Sequence, residues 1–158
     1  MPARVFVSRL PGPLHFLRCP GARNLLFAAT GCSLSPLLIS VAFGAVHLPN
    51  PGENALGILQ VVEFGLLMCL TLRRTGNVWF AVGFHAARDW AETYFYGTPN
   101  SGLLGAGRFL STSVRGPNWL TGGSAGPEGS VITLLTLVLR ALAIHFRFPR
   151  AVYPDCPV

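Results

Sequence analysis

Residues 55–72 read ALGILQVVEFGLLMCLTL and are followed directly by Arg73 and Arg74. Within this run only Glu63 carries a charge. A helix of about 20 apolar residues spans the hydrocarbon core of a bilayer, and arginines next to such a helix are typical of its cytoplasmic end. The stretch therefore predicts a transmembrane helix.

Three further apolar runs lie on either side of this helix. Residues 25–46 (LLFAATGCSLSPLLISVAFGAV) come before it, and Pro36 within them predicts a break or kink. Residues 78–96 begin apolar and become polar, which predicts an amphipathic or protein-facing membrane helix. Residues 131–146 (VITLLTLVLRALAIHF) follow a Gly- and Ser-rich segment, residues 97–129, whose length predicts a loop with functional or packing content. Together the runs predict an all-α fold, a multi-span transmembrane helix bundle.

The composition agrees with a membrane location. The chain of 158 residues is 51% hydrophobic and 11% charged, whereas about a quarter of the residues in soluble domains are charged. The net charge of +6 is dispersed, and Arg73 and Arg74 are the only adjacent basic pair, so nucleic acid is not an expected partner. The four cysteines form no CxxC pair, so we expect them to be inert packing residues. Membrane lipid is therefore the expected surrounding.

Among the ionisable residues inside or at the ends of the apolar runs, four are candidate site residues: His47, Glu63, His85 and Asp89. Inserting such a group costs about 2.5 to 3.5 kcal/mol, so it usually faces protein and is a candidate functional residue. His85 and Asp89 are four residues apart and can reach one site from a single helix. Imidazole and carboxylate are suited to zinc and similar divalent metals. We therefore predict that His47, His85 and Asp89 form a catalytic site that holds a divalent metal ion, zinc.

Simpler interpretations of these residues stay open. A histidine at the end of a membrane helix, as His47 is, can be an interfacial residue. Asp89 can form a solvated pair with its neighbour Arg88. Glu128 precedes an apolar helix and is most simply a charge near a helix N-terminus, where the helix dipole favours it.

The order of the short motifs resembles that of a known family. Phe43 and His47 form an FxxxH motif, His85 and Asp89 form an HxxxD motif, and residues 118–130 (NWLTGGSAGPEGS) follow. These features resemble the CAAX prenyl protease type II family, also called CPBP, of intramembrane metallo-endopeptidases. The resemblance covers roughly residues 37–146 and predicts a partial CAAX-protease-type core.

The resemblance implies a function and partners. It implies an intramembrane, metal-dependent endopeptidase of the bacterial plasma membrane, which hydrolyses a membrane-associated peptide or protein substrate. A homo-oligomer is a separate expectation, because four spans are few for a closed cavity and a second copy could supply the missing helices. In a cavity between the helices, His47 would hold or activate a water molecule. His85 and Asp89 would position that water or stabilise the oxyanion.

One motif of the family is missing. The family also carries EExxxR, whose glutamate is taken to be the general base, and no two of the six acidic residues here are adjacent. Glu63 is not at the family position and is a poor substitute. Two alternatives therefore stay open: an inactive, truncated family member, and a non-catalytic membrane accessory or immunity protein.

The sequence divides into three parts. Residues 1–34 are an atypical N-terminal segment, residues 35–146 are the CAAX-protease-like membrane domain, and residues 147–158 are a flexible tail. Residues 4–11 (RVFVSRLP) can be back-translated so that a second reading frame encodes Glu-Phe-Leu-Phe-Arg-Gly-Tyr, which matches the second half of the missing motif. This permits the hypothesis that the N-terminal segment comes from a shifted reading frame.

Overall fold

The structure, a computed structural model, describes residues 34–152. Residues 1–33, and with them the reading-frame hypothesis and the first part of the first apolar run, therefore lie outside the described residues. Between residues 34 and 152 the chain is helical and contains no strand, as the all-α prediction requires. The elements are α1 (Leu34–Ala45), α2 (Ala55–Thr75), α3 (Val78–Asp89), a π-helix (Trp90–Tyr96), α4 (Asn118–Thr121), two 3₁₀ turns (Gly123–Ala125 and Pro127–Gly129) and α5 (Val131–Arg147).

Helix α2 has well-defined ends. The side chain of Asn54 accepts a hydrogen bond from the N–H of Gly57 at the start of the helix. At the other end the N–H of Gly76, in the left-handed region with φ 66°, bonds to the carbonyl of Leu72. Both are standard ways to satisfy the free backbone groups of a helix terminus.

The helix lengths test the multi-span prediction only in part. With 21 residues, α2 is about 32 Å long and can cross a bilayer. Within residues 34–152 it is the one helix that is long and apolar enough to do so. Helices α1 and α3 have 12 residues each and α5 has 17. The helices coincide with the predicted runs, but a multi-span bundle is not established by their lengths.

Helix α2 is the centre of the packing, with α1, α3 and α5 against it. Within residues 34–152 a cluster of buried apolar side chains is formed by Phe64 and Leu67 of α2 and Leu137 of α5. Helix α1 approaches α2 closely at Gly65, where an added Cβ would lie 2.9 Å from the Oγ of Ser40. Small residues at such crossings are typical of helix pairs in membranes.

Large apolar side chains cover the outer faces of the helices. Exposed examples are Leu38 on α1, Trp79 on α3, and Leu139 and Phe146 on α5. Large exposed apolar patches are rare on monomeric soluble proteins. These faces are suited to lipid, in agreement with the membrane location expected from the composition.

Candidate functional site

His47 lies in the turn that follows α1, and its ring is fixed by a backbone bond. The Nδ1 atom is 2.7 Å from the carbonyl oxygen of Phe43. Because a carbonyl only accepts, Nδ1 is the donor, and the neutral ring then keeps its lone pair on Nε2. His47 thus has one nitrogen available to accept a proton or to contact a ligand.

His85 and Asp89 form the pair that their spacing predicts. Nε2 of His85 lies 3.2 Å from Oδ2 of Asp89, and the side chains are 39% and 44% exposed. An exposed pair of this kind contributes only a few tenths of a kcal/mol to stability. Its structural consequence is that Nε2 of His85 faces the carboxylate, which leaves Nδ1 as the free nitrogen of the neutral ring.

One phenylalanine contacts both histidine rings. The ring centroid of Phe43 is 4.8 Å from that of His47 and 5.9 Å from that of His85, with edge-on geometry in both cases. The buried Phe64 supports His85 from another side at 5.0 Å. The phenylalanine of the FxxxH motif therefore has a physical role, because its ring contacts both imidazoles.

The two histidines and Asp89 line one cavity of about 380 Å³. The structure therefore brings the three predicted site residues to the wall of one cavity. Glu63, the fourth candidate, is not among the described residues that line this cavity. The other polar side chains of the cavity wall, which the motifs did not indicate, are Asn50, Arg88, Thr93, Asn100, Ser101 and Glu128.

The three predicted ligands do not fit a three-ligand zinc site in this arrangement. Over residues 34–152 no group of three or more His, Cys, Asp or Glu side chains is placed to hold a metal ion. Both oxygens of Asp89 also face protein groups, Oδ2 towards His85 and Oδ1 towards the Nδ2 of Asn100 at 3.3 Å. Metal binding by His47, His85 and Asp89 therefore stays a prediction.

A buried ionic network lies beside the histidines. Nη2 of Arg88 is 2.6 Å from Oε1 of Glu128, and these side chains are 10% and 2% exposed. Nε of Arg88 is 3.2 Å from Oε1 of Glu92. The interpretation of Arg88 and Asp89 as a solvated pair is wrong, because the guanidinium points to two glutamates. Glu128 is likewise more than a charge near a helix end, since its carboxylate is buried and ion-paired.

Glu128 also anchors the loop that follows the π-helix. Its Oε2 accepts hydrogen bonds from the N–H and the hydroxyl of Ser101, both at 2.6 Å. Ser101 has φ 45°, a conformation that non-glycine residues seldom adopt. The Nδ2 of Asn50, in the turn between α1 and α2, donates to the Ser101 carbonyl at 2.9 Å. These hydrogen bonds show how the Gly- and Ser-rich segment packs against the rest of the protein, as its length predicts.

Glu53 lies in the turn between α1 and α2, near His47. Its Oε1 accepts a hydrogen bond from the N–H of Asn54 at 3.0 Å. Burial raises the pKa of the Glu53 carboxyl above its ordinary value, and the negative charge of Glu128 adds to the rise. The Asn54 N–H and the nearby His47 act in the opposite direction. The turn therefore favours the protonated form of this carboxyl.

Comparison with known proteins supports the resemblance. The family model of the "Type II CAAX prenyl endopeptidase Rce1-like" proteins matches residues 21–91, just under half of the chain. The matched range contains both the FxxxH and the HxxxD motif, so the resemblance to the CAAX protease family is confirmed there. The resemblance of residues 118–130 lies beyond the match and stays a prediction. Neither curated proteins nor solved structures give a match.

Proposed function

We propose that this chain is an integral membrane endopeptidase of the CAAX protease type, located in the bacterial plasma membrane, which hydrolyses peptide bonds of a membrane-associated peptide or protein. The family match over residues 21–91 supports the class of protein. The observation that carries the proposal is the cavity that His47, His85 and Asp89 share. The apolar outer faces of α1, α3 and α5 support a position among lipids.

The chain's own residues suggest how hydrolysis would proceed. Nε2 of His47, freed because Nδ1 donates to Phe43, takes a proton from a water molecule in the cavity. The water oxygen attacks the peptide carbonyl carbon, and the proton passes to the nitrogen of the leaving amine. His85, held by Asp89, faces the same cavity and contributes to placing the water or to stabilising the oxyanion.

Metal dependence is the finer part of the proposal. The resemblance implies a divalent metal ion, zinc, and no step above passes through one. Cleavage by protein that has been treated with a chelator, dialysed, and then resupplied with zinc decides this point. A second copy of the chain is a further proposed partner, which the molar mass of the protein in detergent measures.

The second candidate is an inactive family member or a non-catalytic accessory or immunity protein. The observation that favours it is the engagement of Glu128, a buried glutamate in the cavity wall. Its Oε1 is paired with Arg88 and its Oε2 accepts from Ser101, so it is not free to act as the general base that the missing EExxxR motif would supply. Buried polar residues of this kind can hold helices together without any catalytic role.

Cleavage of a hydrophobic fluorogenic peptide by the protein in liposomes tests the proposal. We expect His47→Ala and His85→Ala each to lower kcat by about 100-fold or more, the usual contribution of general acid–base catalysis. His145→Ala is the matched control, because that histidine contacts Arg74 on another part of the surface. Absence of cleavage by the wild-type chain, or equal rates for all three variants, would favour the non-catalytic alternative.

A further inference from the structure

We propose that Asn100 is a positioning residue, which holds Asp89 so that the carboxylate keeps His85 in its working orientation. This inference rests on the proposed endopeptidase function and names a residue outside both family motifs. Asn100 lies 11 positions after Asp89, in the loop that follows the π-helix, and the Nδ2 of its side chain is 3.3 Å from Oδ1 of Asp89.

The His85–Asp89 pair needs support from outside its helix. Both side chains are more than one third exposed, and an exposed i, i+4 pair gains too little energy to stay in one geometry by itself. Asp89 has two oxygens, of which Oδ2 faces His85 and Oδ1 faces Asn100. Because only the NH₂ group of an amide can donate to a carboxylate, Asn100 holds the oxygen of Asp89 that His85 does not contact, and so helps to fix the carboxylate plane.

Asn100 is itself held by bonds on several sides. Its N–H donates to the carbonyl of Leu103 at 2.8 Å, and its own carbonyl accepts from the N–H of Leu103 at 2.9 Å. Its Nδ2 is also 3.3 Å from Oγ1 of Thr93 on the π-helix. The amide is therefore directed to Asp89 by the backbone of the loop as well as by a neighbouring hydroxyl.

The loop is joined to the helix that carries Asp89 through a second route. Ser101, the next residue after Asn100, donates two hydrogen bonds to Glu128, and Glu128 is ion-paired with Arg88. Arg88 directly precedes Asp89 in the chain. The loop is thus joined to this helix twice, by the contact of Asn100 with Asp89 and by the contacts from Ser101 through Glu128 to Arg88. The left-handed backbone of Ser101 is strained for a residue other than glycine and persists because these bonds hold it.

The expected effect of Asn100 is on the rate of the chemical step. Outer-shell partners that orient the ligands of metal sites commonly change activity by about 10- to 100-fold when they are removed, and we expect a similar effect for a partner that orients Asp89. We expect Asn100→Ala to lower kcat within that range and to change KM by less than about threefold, because the amide is engaged by protein groups and not by substrate.

Two further variants separate positioning from packing. Asn100→Asp has the same shape but places an oxygen where Asp89 needs a donor. It should lower kcat at least as much as Asn100→Ala, whereas a packing role predicts near wild-type activity. Asn50→Ala removes a different bond to the same loop, to the Ser101 carbonyl, without touching Asp89. It should lower the thermal unfolding temperature and lower kcat clearly less than Asn100→Ala does.

The experiment measures kcat, KM and unfolding temperature for the full chain in liposomes with the fluorogenic peptide. Loss of kcat in both Asn100 variants and a smaller loss in Asn50→Ala support the proposal. Wild-type kcat in Asn100→Asp, or equal losses in Asn50→Ala and Asn100→Ala, overturn it while the endopeptidase function stands. If the wild-type chain cleaves no peptide, the proposed function fails and the role of Asn100 fails with it.

Discussion

Replacement of Arg88 by methionine should destabilise the protein more than any other change to the buried ionic network. Arg88 is 10% exposed and is the cation that faces two carboxylates, those of Glu92 at 3.2 Å and Glu128 at 2.6 Å. Methionine keeps much of the side-chain length that packs over the ring of Phe64, where the guanidinium carbon lies 4.8 Å from the centroid. The substitution thus removes mainly the charge.

The magnitude follows from what each substitution leaves behind. Arg88→Met leaves Glu128, 2% exposed, as a buried charge without its cation, and breaking a buried pair in this way costs about 3 to 5 kcal/mol. Glu128→Gln keeps an oxygen that can accept from Ser101 and leaves Arg88 with Glu92, so its cost should be about 1 to 2 kcal/mol. The double variant should be less destabilised than the sum of the two, because the orphaned charge is gone.

Unfolding of the detergent-solubilised protein by denaturant at about pH 7, followed by circular dichroism, measures the three free energies of unfolding. His145→Ala provides a control for a surface substitution elsewhere in the chain. If Arg88→Met costs no more than Glu128→Gln, or if the two costs simply add, then the arginine does not neutralise both carboxylates and the network does not exist in solution.

Two further predictions concern the pH response and the helix packing. The raised pKa of Glu53 contributes stability that is fully present below its ordinary value of 4.5 and is lost as pH rises through the folded value. Glu53→Gln should therefore raise the denaturant midpoint at about pH 7 and leave it unchanged near pH 4, and an equal shift at both values would contradict this. Gly65→Ala should cost about 1 to 3 kcal/mol, since the added Cβ meets Ser40 of α1 at 2.9 Å. Its matched control, Gly83→Ala on α3, has no atom within 4 Å of the new Cβ and should be neutral or stabilising by up to about 1 kcal/mol; equal losses in both would refute the close α1–α2 crossing.

The positions of the helices could be predicted from the sequence because they depend on local features. Apolar runs mark the helices, and Asn54 and Ser130 cap α2 and α5 with bonds to residues three positions ahead. The His85–Asp89 pair is also local, since the i, i+4 spacing alone brings the two groups together. These features require no knowledge of how the helices pack.

The contacts of the loop could not be predicted in this way. Glu128 reaches Arg88 across 40 positions, and Asn100 reaches Asp89 from a Gly- and Ser-rich segment without periodicity. From the sequence, we expect Glu128 to be a charge that interacts with the dipole of the nearby helix. In the structure its carboxylate is buried and pairs with Arg88, a contact that depends on tertiary packing. The spacing of Arg88 and Glu92, four residues apart, was the one local signal of the network.

The contact of Phe43 with both histidine rings has a consequence for kinetic studies of this cavity. A smaller side chain there would give both imidazoles room to tilt at the same time. A single substitution at this position would therefore disturb both histidines. Rate losses measured for Phe43→Leu and for a histidine variant should therefore be far from additive, and the contribution of either histidine can be assigned only from a complete double-mutant cycle.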